Sequence, residues 1–151
     1  MTVAAGCGSG EGVAEGATVT VYASVPLHGS RAAQGRTICS EAQREAGRDS
    51  GRVAGVRLHV VCLDDTGGAN RWTLASVGAN ARRALEDSST IAYIGEPETA
   101  AARFSAPILE SAGIPRLTNK RGTQAVTEIR RAVDAAGGSG NLREAVLHEL
   151  Q

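Results

Sequence analysis

Aromatic residues are almost missing from this chain: Tyr22, Trp72, Tyr93 and Phe104 are all of them in 151 residues. A core must therefore be built from Ala, Val, Leu and Ile, closely packed, with glycine where elements approach. Lysine is scarcer still. Lys120 stands alone, and every other basic side chain is arginine, a bias that fits a high-GC genome. The 16 Lys and Arg residues balance the 16 Asp and Glu residues to a formal charge of zero. That excludes the net basic excess of a nucleic-acid binder. No apolar run approaches the length of a membrane span.

Several catalytic signatures are also lacking. The loop after the first predicted strand is Val25-Pro26-Leu27-His28-Gly29-Ser30, without the glycines that let a backbone approach a pyrophosphate. A phospho-receiver needs acids after its first strand and an aspartate after its third. Here those positions follow Ser24 and read Gly95-Glu96. No nucleophile elbow occurs. His28 and Ser30 are close in sequence, His59 falls inside the second strand, and His148 lies near the C-terminus. Nothing supplies the third group that holds a catalytic base. No Cys/His spacing fits zinc. The expectation is a non-enzyme without metal or cofactor.

What is present begins at Val3-Ala4-Ala5-Gly6-Cys7, which has the form of a lipobox. A cysteine after small residues is where a lipid thioether is attached to an exported protein. The apolar stretch before Cys7 is too short for a full signal peptide, so lipidation requires upstream residues; the alternative is an ordinary N-terminus. Residues 1–17 are expected to be a lipobox-like tether and 18–151 a single lobe. The expected location is extracytoplasmic, lipid-anchored through Cys7 to the outer face of the cell membrane. Cys39 and Cys62 are then either a disulfide, which export permits, or two buried thiols.

Along the chain, Thr18 to Ser24 alternates and predicts a first strand. Ser30 is placed to cap a helix running to about Ala46, with Ala33, Ile38 and Ala42 on one face and Arg36, Arg44 and Glu45 elsewhere. Gly47 to Gly55 reads as a polar turn and Val56 to Leu63 as a strongly apolar second strand. Asp64 and Asp65 open a turn, where such residues usually bond nearby amides. Helical spacing covers Thr73 to Glu86. Thr90 to Ile94 is a short third strand, Thr99 to Ser111 a helix despite Pro107, and Ile114 to Thr118 a fourth strand. Two more helices are expected, Thr123 to Ala136 and about Asn141 to Leu150.

Strands alternating with helices of this length mean parallel βαβ units. The predicted class is α/β: a doubly wound, flavodoxin-like (Rossmann-like) three-layer lobe of about four strands in the order 2-1-3-4. Ligands of such sheets sit beyond the carboxyl ends of the strands, near the topological switch point. Three loops qualify: Val25 to Ser30, Gly95 to Thr99, and Thr118 to Thr123. Their hydroxyls (Ser30, Thr99, Thr118, Thr123) and the free amides of helix N-termini suit a carboxylate. Ser30, Thr99 and Thr123 equally suit plain N-caps. Glu98 would repel an anion or accept an ammonium group.

The ordered series VTVYASVPLHG, VRLHVVCLDDTGG, WTLASVGANARRALED and TIAYIGEPETAAARFSAPILESAGIPRLT resembles the N-terminal lobe of a type I periplasmic binding protein. The nearest group is the leucine/isoleucine/valine-type substrate-binding proteins of ABC importers. The resemblance runs from about Val19 to Thr118. It implies an amino-acid-like solute, an ABC permease as partner, and ligand contacts at Thr99 and Ala100, at Thr118, Arg121 and Thr123, and at His28 and Ser30. The family often has a Ser-rich loop after strand three, where this chain has Glu96-Pro97-Glu98-Thr99. Lys120 and Arg121 give a bulky, positive edge after strand four, which disfavours an aliphatic amino acid. Residues 18–122 resemble the first segment of the lobe and 123–151 the helices that return to it. The resemblance thus implies a single lobe with the second deleted, and weak or absent binding. Alternatives are a sensory or scaffold lobe that pairs with another protein, and a flavodoxin-like enzyme.

Overall fold

The computed structural model describes residues 16–137 and 140–151. Cys7 lies outside them. The chain runs β1 (Thr18–Val25), α1 (Ala32–Ala46), a 3-10 turn (Arg48–Gly51), β2 (Arg52–Val53), β3 (Val56–Asp64), α2 (Leu74–Glu86), β4 (Thr90–Gly95), α3 (Thr99–Ser111), β5 (Arg116–Leu117), α4 (Gly122–Ala136) and α5 (Leu142–Leu150). One five-stranded sheet has the order β2-β3-β1-β4-β5. The run β3-β1-β4-β5 is parallel throughout and corresponds to the expected 2-1-3-4 order. The addition is β2, two residues antiparallel to the start of β3. Ala54 and Gly55, both at positive φ, make the two-residue hairpin turn, and Asp49 and Ser50, also at positive φ, lie in the 3-10 turn that leads into β2.

Position in the sheet explains each strand's pattern. β1 is central and covered on both faces, so seven of its eight residues are buried. β3 alternates at its start: Val56, Leu58 and Val60 point inward while Arg57 and His59 face solvent. Helices α1, α4 and α5 cover one face, where Val19, Val21 and Ala23 of β1 meet Ala42, Ile129, Val133 and Val146. Helices α2 and α3 cover the other, where Tyr22 and Tyr93 meet Ala81, Ala84 and Leu109. Each fully buried Val, Leu or Ile contributes about 1.5–3 kcal/mol. Small residues close the layers. A Cβ on Gly35 would strike the Pro26 carbonyl, and one on Gly122 the Ile38 carbonyl.

Several local expectations are corrected. Ser30 does not cap α1; the N-cap position is Arg31, without a side-chain cap, and the Ser30 amide donates to the Asn70 carbonyl. Ala33 is exposed, whereas Glu45 is buried, held by Arg48 at 2.8 Å and by the Thr127 hydroxyl at 3.2 Å. The fourth expected strand shrinks to Arg116 and Leu117, which leaves Thr118 outside it. Thr73 caps α2 by accepting from the Ser76 amide. Cys39 of α1 and Cys62 of β3 form a disulfide, with Cα atoms 6.0 Å apart.

Candidate functional site

The chain leaves β1 toward β3, then returns to β4 on the opposite side of β1. The switch point is therefore between β1 and β4, and a cleft of about 580 Å³ opens there beyond the strand ends. Its floor is Val25, Ile94 and Leu117, which lie at the ends of three parallel strands. Helix α1 supplies one wall through Ala33, Gln34, Thr37, Ile38 and Glu41. Gly95, Glu96 and Pro97 form the second wall, and Asn119, Lys120 and Arg121 the rim.

The rim charges are paired. Arg121 donates to Glu41 at 3.0 Å and Lys120 to Glu128 at 2.9 Å. The Arg121 guanidinium holds the Glu41 carboxyl below its ordinary range, and the amides of Thr123 and Gly122 add to this against the cost of burial. Those two amides are the first of α4, so the Glu41 carboxylate lies on the favourable side of that helix dipole.

Beside the cleft lies a buried polar layer under α2 and α3. Glu96 is fully buried and accepts from the Tyr93 hydroxyl and the Ser105 hydroxyl, each at 2.7 Å. Burial raises its pKa, opposed by those hydroxyls. Asp65 is only 2% exposed, and its Oδ1 has no hydrogen-bond partner. Burial first, then the charges of Glu96, Asp64 and Glu98, push Asp65 up to about 7, against the pull of Arg31. Asp64 behaves oppositely. Burial works against its charge, but the amides of Leu27 and Thr66, the Thr66 hydroxyl and His28 outweigh it and hold the group well below the usual carboxylate range. Two adjacent aspartates thus differ because one is richly bonded and the other has an unpaired oxygen.

The predicted site residues divide accordingly. Arg121 lines the cleft and Thr118 is half-buried next to its floor residue Leu117. His28 and Ser30 instead tie the first loop to the turn after β3: His28 Nδ1 meets Asp64 at 2.8 Å, and Ser30 bonds Asn70. Thr99 and Ala100 are exposed on the first turn of α3, outside the cleft lining. Its N-cap position is Glu98, not Thr99, and Glu98 bridges Arg31 at 3.0 Å and the Trp72 indole at 3.1 Å. Thr123 is exposed inside the first turn of α4, whose N-cap position is Arg121. Gln34, Thr37, Ile38 and Glu41 line the cleft from a helix, where reading the loops alone does not find them. Their signal is the spacing Ala33, Thr37, Glu41, one residue every four along α1, which aligns them on one face.

Among the described residues, no group of three or more His, Cys, Asp or Glu side chains is arranged to hold a metal ion. No helix there is long and apolar enough to cross a membrane.

No protein-family model and no curated relative matches the sequence. Solved structures do. The leucine-binding protein LivK of Thermotoga maritima is 21% identical, with a TM-score of 0.55 over 87% of this chain and 45% of that one. A solute-binding protein of an ABC transporter from R. palustris, solved with 4-hydroxybenzoate, is 16% identical, with a TM-score of 0.59 over 88% of this chain and 43% of that one. A substrate-binding protein from Desulfitobacterium hafniense, solved with Leu, is 21% identical, with a TM-score of 0.52 over 67% of this chain and 28% of that one. The fold is that of one lobe of an ABC-transporter substrate-binding protein. The chain spans less than half the length of the structures it matches.

Proposed function

We propose that this chain is a lobe of an extracytoplasmic solute-binding protein that serves an ABC importer, without enzymatic activity of its own. The observation that carries the proposal is the cleft at the switch point, on a fold shared with solute receptors. Its apolar floor of Val25, Ile94 and Leu117 suits the body of a small solute. Gln34, Thr37, Asn119, Lys120 and Arg121 suit a carboxylate end, as does neighbouring Thr118. The solute is amino-acid-like or another small carboxylate, the two classes seen in the neighbours solved with Leu and 4-hydroxybenzoate.

His28, Ser30, Thr99, Ala100 and Thr123 belong, in this proposal, to the rim that a second surface would meet. One lobe leaves the solute open to water, so binding by this chain alone is weak, and a permease is the partner of the complete receptor. The Cys39–Cys62 disulfide supports an oxidising compartment. Lipid attachment at Cys7 is part of the same proposal.

A thermal melt with a panel of amino acids and aromatic carboxylates tests this. A ligand that binds only the folded chain raises the midpoint by mass action. The expected result is a rise for one carboxylate class at millimolar concentration, diminished by Lys120→Ala with Arg121→Ala. No rise with any panel member, together with no heat in calorimetry, rejects solute binding by this lobe.

A further inference from the structure

The cleft lining holds two basic side chains, Lys120 and Arg121, and both are engaged by carboxylates of this chain. They follow Asn119, whose φ of 56° is a left-handed conformation that asparagine adopts more readily than most residues. From that turn the two side chains part. Arg121 reaches Glu41 of α1 at 3.0 Å, and Lys120 reaches Glu128 of α4 at 2.9 Å. Pairing is not the rule for exposed arginines here. Arg82 and Arg103 are exposed and, among the described residues, form no salt bridge.

The members of the Arg121 pair are unequal. The Arg121 side chain is 81% exposed and that of Glu41 only 13%. The guanidinium thus reaches in from solvent to a carboxylate set in the cleft wall. A solute carboxylate meets this pair in one of two ways. It takes Arg121 from Glu41, and a largely buried carboxylate then loses its counter-ion. Otherwise it shares the guanidinium with Glu41, and two negative charges crowd one cation. Both cost affinity. Glu96, the other carboxyl of the lining, is held by the Tyr93 and Ser105 hydroxyls and takes no part in this exchange. Gln34, Thr37 and Asn119 line the same cleft without charge, so a neutral polar group is held there at no such cost.

We propose that Glu41 and Glu128 are built-in competitors of the solute: they hold Arg121 and Lys120, and a solute carboxylate binds by exchanging with them. The inference rests on the reading of the cleft as a solute site and adds what regulates that site. A small anion that brings charge alone gains too little from the exchange. A carboxylate whose body also covers Val25, Ile94 and Leu117 offsets it by burying apolar surface. Removing the charge of either acid while keeping its shape should therefore tighten binding. That is the reverse of the usual loss when a residue at a site is changed.

Calorimetry on the full chain at neutral pH tests this. The probes are two plain carboxylates, 4-hydroxybenzoate and N-acetylleucine, and their neutral amides. The chains are the wild type, Glu41→Gln, Glu128→Gln and the double variant, with cooperative melting as the check that each folds. For at least one carboxylate, each substitution should tighten binding by about two- to fivefold, the worth of a partly exposed ion pair, and the two together by about tenfold. The matching amide should bind all four chains alike. Glu110→Gln, near the end of α3 and outside the cleft lining, should leave both probes unchanged. Binding seen only in the double variant supports the proposal most directly. Carboxylate binding by the wild type that the glutamine variants leave unchanged or weaken overturns this inference alone and leaves the solute site standing. The same gain for the amide, or for Glu110→Gln, also overturns it, because the effect is then not an exchange at the rim. No heat with any probe in any chain removes the solute site and this inference together.

Discussion

Arg121 at the end of the loop after β5 and Glu41 on α1 meet at 3.0 Å across 80 residues of sequence. The pair lines one side of the cleft and sets the Glu41 carboxylate near the start of α4. Glu41→Ala should therefore remove a negative charge from the start of α4 as well as an ion pair. A negative charge at a helix start is worth about 0.3–1 kcal/mol. The ion pair adds little, because Arg121 is largely exposed. The pKa of Glu41 is lowered by folding, so its contribution is present above the ordinary glutamate range and lost as pH falls through the folded value. Urea unfolding of the wild type and Glu41→Ala should differ at neutral pH and converge in acid.

Asp65 predicts the opposite dependence. Folding raises its pKa to about 7 from the ordinary aspartate value of 3.8. The protonated form is favoured in the folded chain, so the stabilisation is complete below the unfolded value and is lost as pH rises through about 7. Unfolding midpoints should fall between about pH 4 and pH 7. Asp65→Asn should flatten that limb and raise stability at pH 8. The gain is at most a few kcal/mol, since displacing a pKa by one pH unit corresponds to roughly 1.4 kcal/mol. A profile unchanged by Asp65→Asn would show that the carboxyl is solvated.

Glu96 should report on the same coupling. Its charge is the second cause, after burial, of the raised Asp65 pKa. Glu96→Gln keeps the carbonyl acceptor for one hydroxyl and removes the charge. The midpoint of the Asp65 limb should move to lower pH. Stability at neutral pH should fall by about 1–3 kcal/mol, because one of the two hydroxyl contacts is disturbed. A carboxyl-resolved NMR titration of Asp65 in the two proteins measures the movement directly.

Much of the lobe is legible in the sequence because burial dictates its pattern. The runs around Val21 and Ile91 are apolar because those parallel strands are covered on both faces, whereas the run around Val60 alternates because one face of its strand is open to solvent. The caps are less legible. Ser30 has the side chain of an N-cap, yet Gly29, at positive φ and pressed against Asn70, fixes the loop so that the helix begins after Arg31. Glu45 reads as a surface residue, and only its partners Arg48 and Thr127 explain its burial. For the site, position along the loops finds Arg121 and misses the α1 wall. Thr37 and Glu41 face the cleft because α4 crosses α1 at Gly122, a contact between segments far apart in sequence that no local pattern records.

The disulfide joins α1 to β3 across 23 residues. Closing a loop of that size restricts the unfolded chain by about 3 kcal/mol in the chain-entropy account. Cys39→Ala with Cys62→Ala should lower the unfolding free energy by about 2–4 kcal/mol. Cys39 follows Ile38, which lines the cleft, so a ligand-induced rise in melting point found for the wild type should shrink in the variant. Reduced and oxidised wild-type chains, compared by thermal melting, check the same expectation without substitution.

Gly122 is where the α1–α4 crossing and the cleft coincide. Its missing side chain lets the start of α4 lie on α1: an added Cβ would meet the Ile38 carbonyl, the Ala42 nitrogen at 2.6 Å and the Glu41 Cβ at 2.9 Å. The first two are backbone atoms and cannot rotate away. Gly122→Ala must therefore push the two helices apart, at a cost of about 1–3 kcal/mol. Alanine is the better helix former, so propensity alone would stabilise by about 1 kcal/mol. The sign decides between the two effects. The urea midpoint should fall with the slope unchanged. Hydrogen exchange at the first turn of α4 should rise at the same time, because that turn is pushed off α1 and opened to water. A stabilised variant would mean that the helices separate without cost, and the cleft wall would then be looser than the contact at Gly122 implies.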